Sequence, residues 1–197
     1  MKKRWIFILL AVVIVLCGAF ALVKGLYERE HTIVLEQIPL QSETNPDAPT
    51  PALHLRLTVK KHLFSDRLDI AGTASIVGAL QMPESVQSFD ALIVDQLAQG
   101  VAVSASPGNG FLYGRTNPDR ILLCSAGVSL PAGDLAGQLH LTLSVEVVPS
   151  GYHMVENQSL ADRVVLSITP ADTETASACR YVCDLTALRL ALDAICP

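Results

Sequence analysis

The most prominent pattern in the chain is an unbroken apolar run at residues 5–23, which follows the sequence Met-Lys-Lys-Arg. A helix rises about 1.5 Å per residue, so this run matches the thickness of a bilayer's hydrocarbon core. Trp5 and Tyr27 flank it, where interfacial aromatic residues commonly lie. The pattern predicts a cytoplasmic stub at residues 1–4 and a single transmembrane helix at residues 5–23, with everything later outside the cytoplasm.

Three fates of this segment fit the sequence. The length of the run favours an uncleaved signal-anchor. A cleavable signal peptide is the second, because Ala19-Phe20-Ala21 matches the small-residue cleavage pattern and would release a secreted domain after Ala21. A lipoprotein signal at Cys17 is the third, although Leu16 stands where such signals carry a small residue. All three export the remainder of the chain, and the first makes membrane lipid a partner of residues 5–23.

Beyond this run, apolar and polar residues alternate with a period of two, which is typical of strands with one wet face. The alternation is clearest at residues 52–61 and 138–148. Asn109-Gly110 predicts a hairpin turn between two shorter strands. Further strands are predicted at residues 32–38, 68–78, 89–95, 100–106, 111–115, 120–124 and 163–169.

Residues 173–195 fit two structures. Their apolar residues recur at spacings of three and four, as on one face of a helix, but part of the segment also alternates like a strand. The alanine and leucine content favours the helix.

Together these patterns predict a mainly β fold. It comprises an N-terminal transmembrane helix, then one antiparallel β-sandwich-like or open-barrel domain, with a C-terminal helix on the favoured interpretation. Residues 24–51 are predicted to form a stalk with a possible first strand and a proline-rich loop. Residues 52–197 are predicted to form the extracytoplasmic β-rich domain.

Composition limits the classes of molecule that this chain is expected to bind. The chain has 50% hydrophobic residues and a net charge of -5, which excludes general disorder. Its acidic residues outnumber its basic ones 19 to 14, and the only basic cluster precedes the apolar run. We therefore expect no nucleic-acid binding. A protein partner is compatible with the sequence, but nothing in it identifies one.

Four cysteines lie in the exported part: Cys124, Cys179, Cys183 and Cys196. An even number in an oxidising compartment predicts two disulfides, with three possible connectivities. The alternative is a redox dithiol or half of a metal site at Cys179 and Cys183. Their spacing is Cys-x3-Cys, however, and not the Cys-x-x-Cys of thioredoxin-like sites.

Other candidate chemistry is sparse. His54 and His140 lie on the polar faces of the two clearest strands and could share a site if those strands pair. Ser125 resembles half of a nucleophile elbow, but Leu123 replaces the required glycine. The sequence therefore predicts no catalytic, cofactor or metal site.

The functional prediction is a non-catalytic interaction or structural module at the cell surface. Two alternatives stay open from the sequence. One is a membrane-tethered thiol-redox or metal-binding protein that uses Cys179 and Cys183. The other is an accessory subunit of a membrane complex, in which the apolar helix pairs with a larger protein.

Overall fold

The computed structural model describes residues 2–63, 68–105, 121–131, 138–147, 161–170 and 173–195. In this part of the chain the fold is mainly β, with an apolar N-terminal helix and a C-terminal helix, as the sequence predicted. The predicted Asn109-Gly110 turn and the strand at residues 111–115 lie outside the described residues, as does Cys196.

The described part of the chain contains three α-helices, one 3-10 helix and ten strands. The helices are α1 (Lys2–Tyr27), α2 (Asp90–Gln99) and α3 (Thr186–Ile195), and a 3-10 helix (Glu84–Phe89) precedes α2. The strands are β1 (Glu30–Pro39), β2 (Gln41–Ser42), β3 (Ala52–Lys61), β4 (Leu68–Val77), β5 (Val101–Ala105), β6 (Ile121–Ser125), β7 (Val128–Pro131), β8 (Gln138–Val147), β9 (Asp162–Pro170) and β10 (Ser177–Cys183).

The described strands form one antiparallel sheet in the order β1-β3-β4-β5-β6-β8-β9-β10-β2, with β7 also paired to β8. The two edge strands, β1 and β2, are separated in the chain by Leu40 alone. One continuous segment therefore pairs with β3 at one edge of the sheet and with β10 at the other. The sheet must curl back on itself, which gives the open barrel of the two predicted alternatives.

Alternating side chains fill the inside of this barrel. On β3 the inward residues are Leu53, Leu55, Leu57 and Val59, each at most 1% exposed. Aliphatic residues at every second position of β8 and from Val164 to Ile168 of β9 are buried in the same way. The alternation of apolar and polar residues that predicted these strands therefore matches the alternation of buried and exposed positions. This follows because successive residues of a strand point to opposite faces.

An irregularity in β1 allows its two halves to face the same core. Its pairing with β3 shifts register between Leu35 and Ile38, and Gln37 takes a positive φ of 59°. An extra residue in one strand reverses which positions point inward. Ile33 before the bulge and Ile38 after it are therefore both buried, despite their odd separation.

Two sequence predictions need correction. Residues 89–95, predicted as a strand, belong mainly to α2, which buries Ile93 and Leu97 one helical turn apart. Residues 173–195, predicted as one element, contain both β10 and α3. The possible first strand predicted at residues 32–38 is present in the sheet as β1.

Candidate functional site

The described cysteines cannot form disulfides with one another. Cys179 and Cys183 lie four residues apart on β10, about 13 Å at the usual rise of a strand. Cys124 lies on β6, three strand spacings from β10, or roughly 14 Å. A disulfide requires Cα atoms within about 7 Å. All three described thiols in the barrel are free, so the two predicted disulfides are not supported by the described part of the chain.

The same geometry argues against a dithiol or shared metal site at Cys179 and Cys183. Burial, aided by the negative charge of Asp90, raises the pKa of Cys179 to about 11. Burial and the carboxylates of Asp162 and Asp184 raise the pKa of Cys183 to about 12. Because the thiolate is the reactive form, these groups are poor nucleophiles and poor metal ligands at neutral pH.

The two candidate histidines do not meet. His54 lies on β3, which pairs with β1 and β4, whereas His140 lies on β8, which pairs with β6, β7 and β9. The Nδ1 atom of His140 is 2.9 Å from the hydroxyl of Ser129 on the exposed outer face. Among the described residues, no group of three histidine, cysteine or acidic side chains could hold a metal ion.

Ser125 has a structural role. It is 6% exposed, and its hydroxyl accepts a hydrogen bond of 2.8 Å from the backbone N–H of Leu143. This contact occurs where β6 ends and the strand breaks before β7. The hydroxyl thus takes the place of a backbone acceptor in the sheet where the strand breaks. A hydroxyl buried in this role is not positioned to act as a nucleophile.

The junction between α1 and the barrel is a feature that the sequence did not reveal. Only Glu28 and Arg29 separate α1 from β1. The carboxylate of Glu28 accepts a hydrogen bond of 3.2 Å from the backbone of Leu63, just after β3. The Lys61 ammonium lies 4.9 Å from the centroid of the Tyr27 ring, within the range of a cation–π contact. These two contacts hold the end of α1 against the end of β3. We call this junction, formed by Tyr27, Glu28, Lys61 and Leu63, the braced corner.

A cavity of about 560 Å³ opens at the other end of the barrel. Its walls are residues 42–44 at the end of β2, residues 81–83 before the 3-10 helix, and residues 178–181 of β10. The Ser42 hydroxyl donates to the Gln81 side-chain oxygen at 3.1 Å, and the hydroxyls of Ser85 and Ser177 are 2.8 Å apart. Its volume lies within the range of ligand-binding pockets in proteins.

Buried polar groups form the floor of this cavity. Tyr181 is 1% exposed, and its hydroxyl makes no hydrogen bond of standard geometry with the described residues. Burial raises the pKa of Tyr181 to about 12, with a contribution from Cys179 and a small opposing effect of the Gln81 backbone. A buried phenol next to a buried thiol is uncharged at neutral pH, so the charge around the cavity comes from its rim.

Charged side chains of both signs line the cavity, namely Glu43 and the exposed Arg180. Glu43 pairs with Arg163 at 2.9 Å across β10, which ties the end of β2 to β9. Residues 39–51 and 78–105, which contain two of the three walls, hold five acidic residues and no lysine or arginine. This imbalance was visible in the sequence, but only the fold brings the two segments together.

Comparison with family models, curated proteins and solved structures gave no match for this chain.

Proposed function

We propose that this protein is a single-pass, membrane-anchored extracytoplasmic module that acts by binding and not by catalysis. The observation that carries the proposal is the braced corner between α1 and β1. Residues 5–27 are long and apolar enough to span a membrane, with a mean hydropathy of 3.3 in the most apolar window. A barrel attached through two residues would be held directly at the membrane surface.

The charges around α1 support the proposed orientation. Lysine and arginine at positions 2–4 precede the apolar segment and favour the cytoplasmic side. The barrel that follows would then lie outside the cytoplasm, at the outer face of the cell membrane.

The barrel itself supports a role in binding. Its interior is filled mainly with aliphatic side chains, and most of the polar residues of its strands lie on the outer face. Its described thiols in β10 are protonated at neutral pH, and the Ser125 hydroxyl accepts a hydrogen bond from the backbone. The cavity at the end opposite α1 is in turn well placed to meet a partner away from the membrane.

Intact mass of the membrane-extracted protein tests the anchor. We expect a full-length mass in the membrane fraction that resists extraction by high salt and alkaline buffer. A soluble species with a mass beginning at Leu22 would instead establish a secreted domain. Turnover of hydrolase or thiol-oxidoreductase substrates by the purified full-length protein, lost in an active-site variant, would contradict the proposal of a non-catalytic module.

A further inference from the structure

One edge of the barrel sheet ends inside the cavity. The strand β2 pairs with β10 only at Tyr181 and Val182, and the Glu43 N–H extends this pairing to the Arg180 carbonyl at 3.0 Å. On the N-terminal side of Arg180, β10 has no further partner strand on this side among the described residues. Within the described part of the chain, the first residues of β10 therefore lack a neighbouring strand on this side.

The backbone of Ala178 points into this gap. The carbonyl of Arg180 faces β2, and backbone groups two residues apart on a strand point to the same side. The N–H and C=O of Ala178 therefore face away from β9, toward the space between residues 42–44 and 81–83. No described backbone group forms a hydrogen bond with Ala178 on this side.

We propose that an extended basic peptide segment of a partner protein binds here, adding a short strand to the free edge of β10. This inference deepens the proposed binding function by naming the ligand class. The peptide backbone would pair with the N–H and C=O of Ala178, as in other cases of strand addition to an open sheet edge. Its side chains would contact Met82 and Pro83 in the opposite wall.

Charge complementarity selects a basic peptide. The two segments that flank the gap carry five acidic residues and no lysine or arginine, while β10 contributes one exposed basic residue, Arg180. Glu43 is paired with Arg163, whereas Asp47 and Glu84 are exposed in the flanking segments and outnumber Arg180. Lysine or arginine on the peptide would meet this negative potential, which also accelerates association at low ionic strength.

The test uses the full-length chain in lipid nanodiscs and a random dodecapeptide phage library, depleted first on empty nanodiscs. We expect enrichment of peptides that combine lysine or arginine with alternating apolar residues. Synthetic versions of these peptides would then be titrated against wild type and variants. Failure to enrich any peptide over empty nanodiscs would overturn the inference.

Ala178→Pro is the decisive variant, because it removes the one N–H that faces the gap and leaves the pairing of β10 with β9 intact. We expect it to weaken binding by roughly tenfold, which is the upper range for one net hydrogen bond. Ala178→Ser keeps the N–H and is the matched control. Unchanged thermal melting would show that the proline variant folds. If it does not fold, N-methylation of successive peptide amides replaces it as the test.

Strand addition would be contradicted by peptides that bind the wild type and Ala178→Pro with equal affinity and whose affinity is also unchanged by backbone N-methylation. Affinity that is unaffected by Glu84→Gln and by salt would contradict the choice of a basic ligand. Neither result bears on the membrane anchor, because purified protein is used. A failed anchor, in turn, would leave the peptide measurements intact.

Discussion

At the scale of single residues, several polar groups in this barrel are buried for structural reasons. Ser125 and Asp162 are 6% and 4% exposed, and both accept hydrogen bonds from backbone N–H groups. The sequence Cys124-Ser125-Ala126-Gly127 makes this serine look like a catalytic candidate. The structure shows that its hydroxyl completes the sheet where the strand breaks.

We expect Ser125→Ala to lower the free energy of unfolding by about 1–3 kcal/mol, because the buried N–H of Leu143 loses its acceptor. Urea unfolding of the full chain in detergent measures this change. Ser144→Ala is the control, since its half-buried hydroxyl makes only a weak contact with the Cys124 sulfur at 3.5 Å. An equal loss in both variants would contradict the role given to Ser125.

The buried thiol of Cys179 predicts a pH effect on stability. Its pKa is about 11 in the folded protein against an ordinary value of 9.0. A raised pKa means that the folded state retains the proton longer than the unfolded state. The resulting stabilisation is complete below about pH 9 and is lost as the pH rises toward 11.

Urea unfolding between pH 8 and pH 10.5 tests this effect. We expect the free energy of unfolding of the wild type to fall more steeply above pH 9 than that of Cys179→Ala. Cys124→Ala controls for removing a half-buried thiol from another strand. Identical slopes in wild type and Cys179→Ala would refute the effect.

At the scale of elements, the strands were predicted well where one face is buried. In β3 and β8 the apolar residues at every second position are the ones buried in the barrel interior. The helix α2 was missed because four successive apolar residues at 91–94 resemble a buried strand. The spacing of Val86, Ile93 and Leu97, with the polar residues between them, is the signal that could have found it.

The boundary between β10 and α3 also had a local signal. Asp184 accepts a hydrogen bond of 2.8 Å from the backbone N–H of Thr186, a typical helix-capping contact. These interactions with Thr186, together with Arg189, hold the pKa of Asp184 below its ordinary value. An aspartate just before an apolar helical pattern thus marks where α3 begins.

Packing of α3 against the barrel gives a matched pair of variants. Leu188 is fully buried, whereas Leu190 is 64% exposed. We expect Leu188→Ala to cost about 2–5 kcal/mol and Leu190→Ala to stay within about 0.5 kcal/mol. Chemical denaturation measures both, and equal costs would show that α3 does not pack through this face.

Gly72 permits the close approach of β3 and β4. A Cβ atom at this position would lie 2.0 Å from the Arg56 carbonyl oxygen and 2.8 Å from the Leu57 Cα atom. We expect Gly72→Ala to lower stability by at least about 1–3 kcal/mol. Gly127→Ala is the control, because its Cβ would meet only the Thr142 hydroxyl at 3.8 Å. Equal melting temperatures for the two variants would contradict this account.

At the scale of the whole molecule, the curling of the sheet into an open barrel was one of two alternatives that the sequence left undecided. It depends on two residues of β2 pairing with β10, which lies far along the chain. Alternation reports which face of a strand is buried, but not which strand lies beside it. The cavity, its free strand edge and its acidic rim all follow from this one long-range contact.

The braced corner and the cavity lie at opposite ends of the barrel. β1 leaves the corner at Glu30, and the cavity lies beyond its far end, at residues 42–44. A barrel anchored at the corner would therefore present the cavity away from the membrane. In the proposed orientation, this end faces the outside of the cell.

Labelling with a membrane-impermeant maleimide tests that claim most directly. Ala98→Cys places a thiol on the exposed side of α2, and Lys3→Cys places one before the apolar segment. Wild type measures the background of the existing cysteines. We expect intact cells to label the full-length Ala98→Cys protein, and to label Lys3→Cys only after permeabilisation. Labelling of Lys3→Cys alone in intact cells, or of neither variant before permeabilisation, would contradict the proposed extracytoplasmic anchor.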